Sequence, residues 1–242
     1  MQELIDQIST WIKEKVEEAQ KKGVVLGLSG GLDSTITAFL CKKALGQKRV
    51  LGLIMPCHSK PEIVEDVRIA SEFLKISTQR IDLSAVYDTF VSIIPEGNKI
   101  AYANLKVRLR MATLYYFANK LDYLVVGTSN KSEYEVGYFT KYGDGAVDIM
   151  PLADIYKTEL IRLAEYINVP QKIISKPPSA DLWEEQTDEG ELGITYKELD
   201  DILKQLVEKK KLVDTLQKKL VEKMLQKSMH KRLFPPIFKR KE

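Results

Sequence analysis

The eight residues Gly27-Leu28-Ser29-Gly30-Gly31-Leu32-Asp33-Ser34 constrain this chain more than any others. They follow Val24-Val25-Leu26, a short apolar run that reads as a buried strand, and they open a segment whose apolar positions Ile36, Phe39 and Leu40 read as a helix. A strand, a glycine turn and a helix start make an anion-binding geometry. Gly30 and Gly31 let the backbone turn without a Cβ clash. The N–H groups of the turn then point at one spot, with the positive end of the helix dipole behind them. Ser29 and Ser34 add hydroxyl donors. A carboxylate beside a phosphate, here Asp33, calls for a divalent cation between them, which hard carboxylate oxygen favours. The turn has neither the Gly-x-x-x-x-Gly-Lys-Ser/Thr pattern nor the Gly-x-Gly-x-x-Gly pattern of the common nucleotide loops.

The rest of the chain alternates in the same way. Strands are expected at 24–26, 50–55, 79–83 and 121–127. Helices are expected at 2–21, 33–45, 61–75, 84–94, 100–119, 157–168, 196–207 and 212–226. This order predicts an α/β fold, a doubly wound, mainly parallel, Rossmann-like sheet flanked by helices. With 242 residues and 44% hydrophobic content, one sizeable domain over 1–242 is expected, with C-terminal helices at about 196–230 packed on it.

A net charge of +3 gives no signature of nucleic-acid binding, and the Cys and His residues have no zinc spacing. Cys41 and Cys57 do not make a disulfide framework. No run reaches the roughly 18 apolar residues that span a bilayer, and there is no apolar signal region, so the default is a soluble cytoplasmic protein.

In an open parallel sheet, ligands bind beyond the carboxyl ends of the strands. Met55 ends the second strand and reads either as an adenine contact or as a core residue. On the long helix, Asn104, Arg108 and Met111 share one face beside an apolar stripe of Leu105, Leu109 and Ala112; Arg108 and Arg110 read either as surface charges or, for Arg108, as an anion contact. Residues 128–148 form a dense polar run without periodicity, and a loop of that length is usually functional. A proline-led acidic segment, 176–190, reads as a lid or a solvated connection.

The Ser-Gly-Gly-x-Asp-Ser turn resembles the signature of ATP pyrophosphatases, which cut ATP between the α and β phosphates. Further segments carry a more specific resemblance: the Asn104–Met111 helix, Gly127-Thr128-Ser129-Asn130-Lys131-Ser132-Glu133, Gly137 to Gly145, Tyr156-Lys157, Pro178-Ser179-Ala180, Asp188-Glu189 and His230-Lys231-Arg232. Together they resemble the ammonia-dependent NAD synthetase family over essentially the whole chain. The resemblance implies an adenine nucleotide alpha hydrolase-like fold and a homodimer. It also implies a ligase reaction, the final step of NAD biosynthesis. The nicotinate carboxylate of deamido-NAD attacks the α-phosphate of ATP, and ammonia then displaces AMP to leave NAD.

The same resemblance implies roles for matched positions. Gly27, Leu28, Ser29, Gly30, Gly31, Leu32, Asp33 and Ser34 hold ATP phosphates, joined by Thr128, Lys157 and Ser179. Asp33 and Glu133 are the Mg²⁺ ligands and, with Lys157, the catalytic set. Arg108, Lys141, Asp148, His230 and Lys231 contact deamido-NAD. The family usually has Ala where Val107 stands. Apart from the resemblance, the amidation step needs free ammonia, and Asp144 or Asp148 reads first as a substrate contact and second as a group that binds ammonium and takes its proton. The turn lies too near the start of the chain for a glutaminase domain before it, so free ammonia is the expected donor. A tRNA-modifying relative would show a broad basic face or a zinc appendage, and neither is visible. A non-catalytic nucleotide sensor would lose Asp33, Glu133 or Lys157, and all three are present.

Overall fold

A computed structural model describes residues 1–183, 185–208 and 215–240. Among these, four strands form one parallel sheet: β1 (Gly23–Gly27), β2 (Val50–Ile54), β3 (Ser77–Arg80) and β4 (Tyr123–Val125), in the order β3-β2-β1-β4. Val24 pairs with Val50, Leu51 with Ser77 and Gly23 with Tyr123. The chain therefore runs from β1 outward to β3, then returns to place β4 on the other side of β1. That reversal opens a crevice beyond the carboxyl ends of β1 and β4, and the glycine turn sits there.

Alternation along β1 explains the layers. Val24 and Leu26 face one core, with Ile5 and Ile12 of α1 (Gln2–Glu18), Ile36 and Leu40 of α2 (Leu32–Leu45), Val67 and Leu74 of α3 (Pro61–Leu74), and Leu160 and Leu163 of α7 (Lys157–Tyr166). Val25 faces the other, with Leu53, Val125 and Phe117 of α5 (Lys99–Leu121), which follows α4 (Ser84–Ile93). A third cluster joins Val136 of α6 (Lys131–Val136), Leu192 of α9 (Asp188–Leu192), Leu199 of α10 (Tyr196–Leu203) and Val221 of α11 (Leu216–Arg232). The C-terminal helices thus pack on the segments that follow β4. No helix among the described residues is long and apolar enough to cross a membrane.

Several elements differ from the sequence reading. β3 is Ser77–Arg80, earlier than the expected 79–83. The apolar Ile81 and Leu83 lie beyond it, their N–H groups donating to Ile54 and Pro56 carbonyls. The polar run after β4 contains a helix, α6, closed by a capping box in which Asn130 and Glu133 bond each other's backbone N–H. A short α8 (Gln171–Ile174) was not expected, and α9 falls at the edge of the expected 176–190 loop. On α5 the buried stripe is Ala103, Val107, Phe117 and Ala118, not Leu105, Leu109 and Ala112. α10 ends at Leu203 and continues as a π-helical turn, Lys204–Glu208. The last helix runs on past Gln226 to Arg232; Leu212 and Val213, expected to begin it, lie outside the described residues, as does Glu184 of the proline-led segment.

Candidate active site

The turn after β1 is wedged against α3. Gly30 has φ +79°, and a Cβ there would stand 2.7 Å from the Val67 nitrogen and 2.8 Å from the Asp66 carbonyl carbon. The serines brace the turn from within. Ser34 Oγ accepts from the Ser29 N–H (3.3 Å) and donates to the Gly31 carbonyl (3.1 Å), and Ser29 Oγ accepts from the Gly31 N–H (3.2 Å). Gly31 is the N-cap of α2, so the free N–H groups of the first helical turn open onto the crevice, with Leu32 and Asp33 as the first residues of that turn.

Asp33, Glu133 and Lys157 come together from three elements. The Lys157 ammonium donates to both Asp33 oxygens, at 2.9 and 2.8 Å, and lies 3.8 Å from Glu133 Oε1. Asn130 Nδ2 donates to Asp33 Oδ2 at 3.0 Å. Side-chain exposures of 7%, 14% and 13% for Lys157, Asp33 and Glu133 take all three largely out of bulk water. Asp188 is the third carboxylate of the group. Tyr196 OH lies 3.2 Å from Glu133 Oε1 and 3.1 Å from Asp188 Oδ2, and Tyr138 OH donates to Asp188 Oδ1 at 3.0 Å.

Burial, and then the neighbouring Asp33 charge, hold the Glu133 carboxyl well above the usual carboxylate range against the opposing pull of Lys157. Burial also raises Asp188, again against Lys157. Burial would lower the Lys157 ammonium, but the charges of Asp33 and Glu133 outweigh it and raise it instead. Burial and the nearby carboxylates push the Tyr196 phenol up, so it stays a donor. One ammonium does not balance three carboxylates, and a divalent cation would. No group of three or more His, Cys, Asp or Glu side chains able to hold a metal occurs among the described residues. Two carboxylates, Asp33 and Glu133, nonetheless fit an ion such as Mg²⁺, which keeps waters and takes its remaining oxygens from phosphate.

A cavity of about 760 Å³ opens from the turn, within the roughly 300–1,000 Å³ usual for small-molecule sites. Gly27, Leu28, Ser29, Thr128 and Ser179 line it, as does Met55 at the end of β2. Ser179 Oγ donates to the Gln186 carbonyl at 2.8 Å and accepts from the Asp181 N–H at 3.1 Å. Arg110 lines the cavity too. Its Nε donates to the Met55 carbonyl at 3.1 Å, and burial lowers its guanidinium pKa although Cys57, Asp144 and Asp181 oppose the shift. Asp144 opens onto the cavity and accepts from the Thr140 N–H at 2.7 Å; the surrounding protein raises its carboxyl.

The five residues matched to the dinucleotide are distributed unevenly. Lys231 lines the cavity, its ammonium donating to the Gly137 and Phe139 carbonyls, each at 2.8 Å. Arg108 is exposed and donates to the Lys141 carbonyl at 3.2 Å, and Lys141 donates to the His230 carbonyl at 2.5 Å. These three therefore form a chain beside Lys231. Asp148 stands apart: Oδ2 accepts from the Val125 N–H of β4 at 2.7 Å and Oδ1 from Tyr115 OH at 3.1 Å. Arg110, Asp188, Tyr138 and Tyr196 join the site although the sequence did not single them out as site residues. Arg110, read in the sequence as a surface charge, falls three residues after Val107, on a face of α5 that the sequence reading did not identify as buried.

The model of the family described as NAD synthase matches residues 4–241. This chain belongs to the NAD synthase family. It is 50% identical to an NH(3)-dependent NAD(+) synthetase of Methanocaldococcus jannaschii, over 98% of this chain and 96% of that protein. Its fold is similar to a solved NMN synthetase of Francisella tularensis, with TM-score 0.90 and 34% identity over 98% of this chain and 97% of that one. It is also similar to an NH3-dependent NAD synthetase of Campylobacter jejuni, with TM-score 0.85 and 32% identity over 98% and 99% of the two chains. Family membership accounts for the α/β architecture.

Proposed function

We propose that this protein is a ligase that amidates the nicotinate carboxylate of deamido-NAD with ammonia, consuming ATP and releasing AMP, pyrophosphate and NAD. The observation that carries this reading is the Asp33–Lys157–Glu133 cluster beside the glycine turn. The NAD synthase family match and the relatives named as NH(3)-dependent synthetases support the acceptor and the nitrogen donor.

In the first step a carboxylate oxygen of the acceptor bonds to the α-phosphorus of ATP, and the bond to the β-phosphate oxygen breaks. No protein nucleophile is needed. The chain positions two anions and neutralises charge on the departing pyrophosphate. The N–H groups of Leu32, Asp33 and Ser34 in the first turn of α2 would receive phosphate oxygens, with Thr128 and Ser179 on the cavity wall beside them. Lys157 adds a fixed positive charge. Asp33 and Glu133 would hold Mg²⁺, which supplies further positive charge to the phosphates when bound. In the second step ammonia attacks the carbonyl carbon of the adenylate and AMP leaves. Ammonium has no lone pair, so a proton must go to a base, and Asp144 is one of three carboxylates, with Asp181 and Glu191, that line the cavity. Lys231, with the Arg108–Lys141–His230 chain at the rim, would hold the dinucleotide. Asp148, with both oxygens engaged, would act on it through the position of β4 and Tyr115.

The same proposal includes a homodimer. Val86, Phe90 and Ile93, spaced i, i+4 and i+7 on one face of α4, are exposed, Ile93 to 75%. Such an apolar face is what a second copy would cover.

The likeness to an NMN synthetase favours one further reading, a mononucleotide acceptor in place of the dinucleotide. Side-by-side assays with deamido-NAD and with nicotinate mononucleotide decide it. Preference for the dinucleotide is expected; a higher kcat/KM for the mononucleotide would overturn the acceptor while leaving the ATP chemistry in place.

A further inference from the structure

We infer that Asp200 is a positioning residue for the ammonium–carboxylate cluster, an inference that rests on the reaction proposed above. Asp200 lies on α10, outside the cavity, and is fully buried. Its Oδ1 accepts from the Ser132 hydroxyl and its Oδ2 accepts from the Thr158 N–H at 2.9 Å. The Ser132 Oγ in turn accepts from the Lys157 N–H at 2.9 Å. One carboxylate thus holds the backbone at Lys157 and Thr158, the first two residues of α7, and the side chain at Ser132, the residue before Glu133.

The chemistry explains why this group is a carboxylate. The first N–H groups of a helix have no partner inside it and need external acceptors. A buried acceptor must be fully engaged to be tolerated. Two oxygens on a planar fork meet two donors from separate elements, a hydroxyl and a backbone N–H. The hydroxyl keeps its own lone pairs for the second backbone N–H. Asn retains the shape and offers one acceptor in place of two. With Asn, either Thr158 N–H or Ser132 Oγ–H loses its acceptor. Lys157 and Glu133 owe their separation of 3.8 Å to where α6 and α7 begin, and that is the distance the Asp200 bridge controls. Residues that orient the groups holding a metal typically change metal affinity or activity by about 10–100-fold when replaced.

The test compares wild type with Asp200→Asn, Ser132→Ala and the double variant. In Asp200→Asn, kcat is expected to fall at least about tenfold and the Mg²⁺ concentration for half-maximal rate to rise. The KM for deamido-NAD should stay within about twofold, because Lys231 and the rim residues are untouched. Amide exchange should quicken at Lys157 and Thr158 and remain slow at Val24–Leu26. The double variant should be no worse than the poorer single variant, since the residues act as one bridge. Should Asp200→Asn not fold, Ser132→Ala carries the test through faster Lys157 exchange and the same kcat-against-KM split. A folded Asp200→Asn protein with wild-type kcat and Mg²⁺ dependence would overturn the inference. So would equal losses in every kinetic constant together with faster exchange in β1, the pattern of general destabilisation. The exchange readout needs no turnover, so a wild type that makes no NAD would sink the proposed reaction without deciding the bridge.

Discussion

Gly30→Ala places a methyl group where the turn has no room. The backbone at Gly30 has φ +79°, a conformation that costs an L-residue roughly 1–2 kcal/mol. The new Cβ would lie 2.7 Å from Val67 N and 2.8 Å from Asp66 C, both backbone atoms of α3. Restoring ordinary contact requires the turn and α3 to part by more than half an ångström, and overpacking of this kind costs about 1–3 kcal/mol. The lost flexibility of the unfolded chain returns about 0.4–1 kcal/mol. The net cost is about 3 kcal/mol, which for a chain of this size lowers Tm by about 6–12 °C. Gly46→Ala tests positive φ without the clash: Gly46 has φ +79° and ψ 157°, a conformation that costs a non-Gly residue about 1–3 kcal/mol, and nothing within 4 Å of its Cβ position. It should lose only the backbone term, with unchanged kinetics. Because the turn itself moves in Gly30→Ala, kcat/KM for ATP should also fall, by at least about tenfold, given that misplacement by 1 Å can cost a hundredfold. Thermal melts and initial rates on both variants make the comparison. Equal Tm losses in the two, with ATP kinetics of Gly30→Ala unchanged, would refute the wedge between turn and α3.

Three further outcomes follow from the geometry. Arg110→Met should raise the KM of an anionic substrate about 10- to 100-fold, the worth of a lost charge-assisted hydrogen bond of about 1.5–3 kcal/mol, while Arg108→Met costs less, because Arg110 lines the cavity and Arg108 does not; steady-state kinetics with ATP and with the acceptor varied in turn check this. Phe90→Asp with Ile93→Asp should shift the protein from dimer to monomer in sedimentation velocity, and an unchanged sedimentation coefficient would remove the exposed α4 face as the interface. Cys41 is buried and its thiol is pushed up to about 12 by desolvation, and Cys57 is raised for the same first reason. Both should stay unlabelled by a thiolate-specific reagent at pH 8 and both react after denaturation. Since a raised thiol favours the folded state only while protonated, Cys41 withdraws stability as pH climbs from the ordinary thiol range towards about 12.

Features whose signal is local were readable in the sequence. The 27–34 turn follows from glycines and hydroxyls at fixed spacing after an apolar run, and β1, β2 and α2 fell near the expected residues. β3 shifted because Ile81 and Leu83 look like strand residues, whereas the paired Ser77–Arg80 is polar and exposed at the sheet edge. The Asn130-x-x-Glu133 spacing of a capping box was present in the run read as a loop, but six residues of helix carry too little periodicity to stand out. On α5, the stripe Ala103–Val107 was obscured because much of that face borders a cavity and not a packed core. Asp200 could not be found this way. Its partners lie 68 and 42 residues away in sequence, and a single Asp on a helix with charged neighbours reads as solvated.

The measurement closest to the central claim is NAD formation from deamido-NAD, ATP and Mg²⁺, with ammonium and with glutamine as separate nitrogen sources, for wild type beside Asp33→Ala. The expected result is NAD with ammonium, one AMP and one pyrophosphate per NAD, nothing from glutamine, and loss of the reaction in the variant. Pyrophosphate released onto other acceptors with no NAD, or full activity in Asp33→Ala, would contradict it.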